Sequence, residues 1–397
     1  MPILKPFRAI QAKPEFIKDV TANSSNFNSE EEMAKEMFRN DLSFLHMTKN
    51  HLISSKITRS SDDVFENAKA YISYLIDNQK VDQFEDNIFF VYRQTHNEVS
   101  HTGIIGLCDI VDYQNDRIRK HEHTRPANEN FVANLLEETN IVGEPLLMSH
   151  YHKQSLEDLL KWIIQGESDI AFESKGKTHQ IWVVQDADII DAIQNEVREI
   201  DAFYIMDGHH RAASVSNLYS ELNSDAHRFC MTYLLDCNQL KINSFHRLIK
   251  SDTYDFETII HRLSEDFWVE EIPDYAVRPE QKGEFIFKGN EGSYRLRLKM
   301  AKDLLDVQEL EKKVLSNVFD ITDSRLDDRI SFISTEDELT EAVIQTQMPN
   351  NYLLLLHPCT FEDVALVSDN NEFMPPKSTY VEPKCDGGLF MQVFGKD

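Results

Sequence analysis

The chain has 397 residues, of which 41% are hydrophobic and 10% aromatic, and this length predicts two or three compact domains. Its 41 Lys and Arg residues against 68 Asp and Glu residues give a formal net charge of −27, which argues against a nucleic-acid partner and against an anionic membrane surface. Five cysteines without a C-x-x-C pair indicate a reducing compartment. Without an apolar run of membrane-spanning length or a signal peptide, we expect a cytoplasmic protein with no membrane partner.

The first part of the chain predicts an alternation of helices and strands. The capping-box pattern Ser29-x-x-Glu32 predicts a helix that runs to about Arg39, and an apolar stripe predicts another over 62–79. Short apolar runs predict strands over 88–92 and 103–111, followed by a polar segment, 112–128. The same patterns predict helices over 129–139, 155–164, 186–197 and about 210–222, and strands over 145–149, 181–184, 203–206 and 229–235. Such alternation is typical of an α/β protein whose mixed sheet carries flanking helices and some parallel pairing.

The remaining sequence is less regular and predicts an additional α+β region. It predicts helices near 255–266 and 307–317, a last one capped by Thr335, and strands over 267–271, 284–288, 293–299 and 352–356. Residues 374–384 hold three prolines, so we expect no regular structure there. We therefore predict an α/β region over 1–250, which holds the candidate site considered below, an α+β region over 251–346 and a segment over 347–397 that packs back toward that site.

The most distinctive motif is Asp207-Gly208-His209-His210-Arg211, which follows a predicted strand and opens a predicted helix. Glycine lets the backbone turn tightly, and the first turn of a helix attracts anions through its amides and its dipole. Arg211 adds a fork of donors suited to phosphate, the histidines add further donors, and Asp207 could hold magnesium. The alternative is a structural turn with two surface histidines.

Further polar residues occur outside this turn. In the segment 120–126, Glu122 could act as a general base, while Lys120 or Arg125 could neutralise charge, and the alternative is a solvated loop. Other candidates for an anion site or for its surroundings, each of which could equally lie at a plain surface, are Lys377, Ser378, Thr379, Arg93, Arg8 and His121. Imidazole suits zinc, so a metal-dependent hydrolase could combine the histidine pairs His121, His123 and His209, His210.

Several motifs occur in one order along the chain, and the ordered set is more specific than any one of them. They are Lys5-Pro6-Phe7-Arg8-Ala9, Ser43-Phe44-Leu45-His46, Tyr92-Arg93-Gln94, Lys120-His121-Glu122-x-Thr124-Arg125-Pro126, Asp207-Gly208-His209-His210-Arg211-Ala212-Ala213 and Met374-Pro375-Pro376-Lys377-Ser378-Thr379. This series resembles the bacterial and archaeal "domain of unknown function 1015" family.

That family is similar, around its G-x-H-R-type motif, to the ParB/sulfiredoxin group, in which the matching turn holds nucleotide phosphates. The wider group includes free-serine kinases. The resemblance implies a ParB/sulfiredoxin-like core that binds ATP or ADP at Gly208, His209, His210 and Arg211 together with magnesium. It also implies phosphoryl transfer to a small hydroxyl metabolite such as free L-serine, with no indication of a protein partner.

One position departs from the family pattern. A Pro-Tyr-Asp-Val stretch is usual shortly after the N-terminal strand, whereas this chain has Ser24-Ser25-Asn26-Phe27, so an amide at Asn26 replaces a carboxylate. An amide cannot act as a base and binds metals poorly. The change favours an alternative function, a nucleotide-controlled ParB-like binding module without turnover.

Overall fold

The structure is a computed structural model that describes residues 1–27, 29–53, 62–273, 278–300 and 305–395. It divides the chain into two compact units. The first unit comprises Met1–Lys120, Thr124–Leu240 and Pro383–Asp397, and the second comprises His121–His123 and Lys241–Glu382. The division into three regions that the sequence predicts stays a prediction.

A nine-stranded mixed sheet forms the centre of the first unit. The strands of this unit are β1 (Leu4–Lys5), β2 (Ile10–Ala12), β3 (Val81–Gln83), β4 (Phe89–His96), β5 (Val99–Asp109), β6 (Ile118–Arg119), β7 (Ile141–Val142), β8 (Leu146–His150), β9 (Ile170–Ser174), β10 (Lys177–Val184), β11 (Phe203–Asp207), β12 (Phe229–Asp236) and, later in the chain, β21 (Gln392–Val393). The order in the large sheet is β6-β11-β8-β12-β5-β4-β10-β9, and β1 pairs with β5. Only the pairs β8–β12 and β6–β11 within this sheet are parallel. The predicted mixed α/β fold is confirmed.

Helices flank this sheet in the first unit. They are α1 (Ile17–Val20), α2 (Glu30–Arg39), α3 (Leu45–Thr48), α4 (Asp63–Asp77), α5 (Ile110–Gln114), α6 (Pro126–Thr139), α7 (Gln154–Ile163), α8 (Ala187–Arg198) and α9 (His209–Leu222). Ser29 caps α2 as its sequence predicts, because its hydroxyl accepts a hydrogen bond from the amide of Glu32. Continuous apolar runs bury the central strands on both faces, as in β12, where Cys230 to Leu235 are all buried.

The second unit contains a six-stranded antiparallel sheet and a separate strand pair. Its strands are β13 (Lys241–Asn243), β14 (His246–Lys250), β15 (Phe267–Ile272), β16 (Glu284–Gly289), β17 (Gly292–Leu298), β18 (Ile330–Ile333), β19 (Asn351–Leu356) and β20 (Tyr380–Glu382). Its helices are α10 (Phe256–Asp266), α11 (Asp306–Glu309), α12 (Glu336–Gln345) and α13 (Phe361–Asp369), with a π-helix over Leu310–Ser316. The sheet order is β15-β17-β16-β19-β14-β18, and β13 pairs with β20.

One sequence expectation was wrong, that residues 374–384 have no regular structure, and two other segments differ from their prediction in detail. The strand predicted over 103–111 ends at Asp109, where the side chain caps α5 by accepting from the amide of Val111. The polar segment predicted over 112–128 contains most of α5, β6 and the start of α6. Residues 374–384 are partly regular, since Tyr380–Glu382 pairs with Lys241–Asn243 as β20.

No helix in the described part of the chain combines the length and the apolar character needed to cross a membrane.

Candidate functional site

The turn between β11 and α9 is built around a glycine in an unusual conformation. Gly208 is the N-cap of the 14-residue helix α9 and has a φ of 96° in the left-handed region. A Cβ atom there would lie 2.9 Å from Nη2 of Arg211 and 3.0 Å from Cδ2 of Leu146. Both the backbone and the space therefore require glycine. The predicted strand–turn–helix junction is present, and its helix N-terminus has the polarity that attracts anions.

A bulge at the end of β11 sets the direction of Asp207. The register against β8 shifts between Ile205 and Asp207, so that Asp207 lies opposite Leu147. Bulges of this kind redirect a side chain at the edge of a site. The loop that precedes β8, with Glu144 and Pro145, consequently lies beside the turn.

The Asp207 carboxylate lies between two cations. Nζ of Lys384 donates to Oδ1 at 2.8 Å, and Nη2 of Arg211 lies 3.5 Å from Oδ2. Burial by itself would raise the pKa of Asp207, but the positive charges of Lys384 and Arg211 outweigh it and hold that pKa well below its ordinary value. Asp207 is therefore ionised at neutral pH and is a weak proton acceptor.

Arg211 is engaged by the protein itself. Its Nη1 donates to Oε2 of Glu144 at 2.9 Å, and its Nη2 donates to the carbonyl of Pro145 at 3.0 Å. The side chain thus ties the first turn of α9 to the loop before β8. The role of Arg211 in binding phosphate stays a prediction, since a phosphate would have to share these donors.

The segment Lys384-Cys385-Asp386-Gly387-Gly388 completes the surroundings of the turn, and sequence reasoning missed it. Besides the contact of Lys384 with Asp207, the backbone carbonyl of Cys385 accepts a hydrogen bond from the side-chain amide of Asn23. Gly387 exchanges two backbone hydrogen bonds with Ala22. The two side-chain contacts join residues that are 177 and 362 positions apart, so no local pattern reveals them. A lysine three positions before a pair of glycines was the available signal.

Asp386 forms a buried polar cluster beside this segment. Oδ1 lies 3.4 Å from Nζ of Lys177, and Oδ2 lies 3.8 Å from Nε2 of His179 and accepts from Gln94 at 3.5 Å. Gln94 also donates to the carbonyl of Lys384 at 3.2 Å, which connects the cluster to the Asp207 turn. The cluster holds a carboxylate in place with one lysine and neutral donors.

Asn26, where the resemblance predicts a departure from the family pattern, faces this cluster. It ends a short 3-10 helix over Ser24–Asn26, and its Nδ2 donates to Oδ1 of Asp386 at 3.4 Å. A carboxylate at position 26 would face Asp386 with the same charge, which is unfavourable at this distance. The amide is therefore matched to the aspartate opposite it.

The other candidates of the first unit have different contacts. The backbone amide of Arg125 donates to Nδ1 of His210 at 3.4 Å, which places the start of α6 against the turn. Lys120 contacts the ring and the hydroxyl of Tyr113. Arg8 is exposed, and its carbonyl accepts from Gln83. The structure connects Arg125 to the turn and shows no such contact for Arg8.

The candidates of the second unit come together among themselves. Nε2 of His121 lies 3.5 Å from Oγ1 of Thr379, and the carbonyl of His121 accepts from the amide of Met374 at 2.8 Å. Ser378 donates to the carbonyl of Pro375, and Lys377 lies over the ring of Phe245. The segment 121–123, with Glu122 at its centre, therefore belongs with the proline-rich segment that the sequence singled out separately.

The residues around Asp207 do not fit a resident magnesium ion. Each carboxylate oxygen already accepts from a cation, so a divalent ion would lie beside two positive charges. Within the ranges that the structure describes, no group of three His, Cys, Asp or Glu side chains could hold a metal. Of the four histidines considered for zinc, His121 and His123 belong to the second unit and His209 and His210 to the first.

The fold and the turn define an α/β protein with a glycine-led strand–turn–helix junction on a mixed sheet. The chain belongs to the family described as protein of unknown function (DUF1015), whose model matches residues 4–322, so the predicted family is confirmed. No curated protein matches the chain.

Several solved structures are similar in fold. A free serine kinase mutant in complex with ADP is 17% identical with a TM-score of 0.39, and the match covers 69% of this chain and 86% of that one. SbnI with a C-terminal truncation, from Staphylococcus aureus, is 12% identical with a TM-score of 0.41, covering 71% and 84%. A conserved hypothetical protein from Pyrococcus furiosus is 17% identical with a TM-score of 0.37, covering 71% and 94%.

Proposed function

We propose that the turn Asp207–Arg211 binds the phosphates of a nucleotide, ATP or ADP. The observation that carries the proposal is Gly208 at the N-cap of α9, in a conformation that leaves no side chain to cover the first helical turn. The positive end of this helix favours an anion, and the ammonium group of Lys384 lies at the same turn. His209, His210, Arg211, Lys120 and Arg125, all in the first unit, are the further phosphate contacts that the sequence predicts.

The reaction that we propose is phosphoryl transfer to a hydroxyl metabolite such as free L-serine. The acceptor oxygen bonds to the terminal phosphorus, the bond from that phosphorus to the bridging oxygen of the leaving nucleotide breaks, and the hydroxyl proton passes to a general base. Such a reaction needs positioning and charge neutralisation more than covalent chemistry, and Lys384 and Arg211 supply positive charge. The proposal is supported by the motif series that resembles the DUF1015 family, and by the resemblance of that family to the free-serine kinases and the ParB/sulfiredoxin group. Magnesium would arrive on the nucleotide phosphates, and no step is assigned to it.

Titration calorimetry with ADP and ATP tests the binding site. We expect Lys384→Met to weaken binding by about 10- to 100-fold, because hydrogen bonds to charged groups contribute about 1.5–3 kcal/mol. The matched control is Lys35→Met, on the exposed face of α2, where Lys35 pairs with Glu31. An unaltered affinity in Lys384→Met, or the absence of binding to the unmodified protein, would contradict the proposal.

A second function, nucleotide binding without turnover, is favoured by the amide of Asn26 opposite Asp386. Phosphorus NMR of the protein with ATP or ADP and L-serine separates the two functions. A phosphoserine resonance supports the kinase. Nucleotide binding without any phosphorylated product across a panel of hydroxyl amino acids and sugars supports the binding module.

A further inference from the structure

A cavity of about 200 Å³ lies in the first unit, away from the Asp207 turn. Ile104 and Leu234 line it from β5 and β12, and Leu156, Leu160 and Ile164 line it from α7 and the residue after it. A dry apolar cavity of about 150 Å³ already binds benzene. The volume therefore suits a ligand with a single ring or a short branched chain.

Arg93 lines this cavity on the sheet face opposite to Gln94. Successive side chains of a strand point to opposite faces, so Gln94 contacts Lys384 and Asp386 while Arg93 does not. The guanidinium lies over the Trp182 ring, 5.5 Å from its centroid, and Nε donates to Oγ1 of Thr102 at 3.1 Å. The Trp182 ring thus covers one face of the guanidinium, and Thr102 accepts from Nε. Nη1 and Nη2 remain as donors for a ligand.

The other charged groups at the cavity are paired. Lys161 forms an ion pair with Glu157 at 2.8 Å. Asp236 accepts from Nδ1 of His152 at 2.9 Å and from the amide of Lys153 at 3.1 Å. Among the residues that the structure describes, none provides a carboxylate within ion-pair distance of Arg93. The charge of Arg93 therefore has no counter-ion among the described residues, and an anionic ligand would supply one.

We propose that the cavity binds a small carboxylic acid with an apolar body. The carboxylate pairs with the Nη1 and Nη2 donors of Arg93, whose planar fork matches two carboxylate oxygens. The apolar body packs against the side chains of Leu156, Leu160 and Leu234, which line the cavity. This site is separate from the nucleotide-binding turn and does not rest on the function proposed for it.

Ligand-observed NMR on the full chain tests the site with benzoate and with benzyl alcohol, its neutral counterpart of similar shape. We expect benzoate to bind, and Arg93→Met to weaken it about tenfold or more while benzyl alcohol binding is unchanged. The matched control is Arg198→Met, at an exposed arginine that bonds to Asn195 in α8, which should bind benzoate normally.

A second variant keeps the test decisive if Arg93→Met fails to fold. Leu160→Trp, at a half-buried position of α7, should fill the cavity and abolish benzoate binding, with folding checked by thermal unfolding. The proposal is overturned if benzoate does not bind the unmodified protein, if a folded Arg93→Met protein binds it with normal affinity, or if Leu160→Trp leaves that affinity unchanged.

Discussion

At the scale of single residues, His179 illustrates how burial decides a charge. Its side chain is fully buried, its Nδ1 is hydrogen-bonded to the Tyr92 hydroxyl at 2.7 Å, and the ring of Phe172 stacks on it. Burial lowers the pKa of His179 to about 4, because it outweighs the attraction of Asp386 for the charged form. The folded protein consequently holds this histidine neutral at pH values where an unfolded histidine is charged.

This pKa predicts a loss of stability in mild acid. Below a pH of about 6.5 the unfolded chain takes up a proton that folded His179 does not, so the free energy of unfolding falls until the pH reaches about 4. Between pH 7 and pH 5 the contribution of this one group is about 2 kcal/mol. Urea unfolding at the two pH values should show a smaller loss for His179→Gln than for the unmodified protein. His261→Gln, at an exposed position of α10, should retain the full loss, and an equal loss in His179→Gln would refute the assignment.

The candidate site shows how far sequence could reach at this scale. The motif from Asp207 to Arg211 is local, and the structure confirms that it joins a strand to a helix. Two residues outside the motif form ion pairs with it. Lys384 pairs with Asp207 over 177 positions, and Glu144 pairs with Arg211 over 67 positions. Such pairs depend on the order of strands in the sheet, which hydrophobic periodicity does not encode.

At the scale of elements, the segment after β20 is held by close packing around one ring. Phe44 is almost fully buried, and three glycines surround it. A Cβ atom at Gly387 would lie 2.3 Å from Cδ1 of Phe44, and one at Gly143 would lie 2.2 Å from its Cζ. The glycines let two backbone segments, one at Gly143 and one at Gly387 and Gly388, approach the Phe44 ring closely.

We therefore expect Gly387→Ala to destabilise the protein by about 1–3 kcal/mol, the usual cost of overpacking. Combination with Phe44→Leu should recover part of this loss, because the smaller side chain makes room for the added methyl group. Urea unfolding of the two single variants and the double variant measures the coupling. Gly166→Ala is the matched control, since the nearest atom to its Cβ is 3.9 Å away. Strictly additive losses would show that the ring is not what excludes the methyl group.

Elements with a clear period or cap were predictable, and the exceptions have identifiable causes. The sequence did not predict helix α13, because residues on most of its sides are buried and no apolar stripe marks one face. Thr360 and Asp363 nevertheless form a capping box at its start. Strand β20 was not predicted, because the prolines of residues 374–384 were expected to exclude regular structure. Pro376 and Pro383 flank the strand without entering it, so its donors remain available for pairing with β13.

At the scale of the whole molecule, the two units can be observed separately by fluorescence. Trp162 and Trp182 belong to the first unit and Trp268 to the second. Each unit has its own sheet and buried core, so we expect each to unfold in its own transition. Trp268→Phe leaves a reporter of the first unit, and the double replacement of Trp162 and Trp182 by Phe leaves a reporter of the second.

Nucleotide should then stabilise only the unit that contains the turn and Lys384. A ligand present at 100 times its dissociation constant adds about 2.7 kcal/mol to the state that binds it. In urea titrations with ADP, the Trp268→Phe protein should therefore unfold at a higher midpoint, while the transition reported by Trp268 alone should not move. Equal shifts in both proteins would contradict separate unfolding of the units. A shift confined to Trp268 would place the nucleotide in the second unit, where Glu122 and the segment Lys377–Thr379 would then be its binding residues, because the strand–turn–helix junction at Gly208 lies wholly in the first.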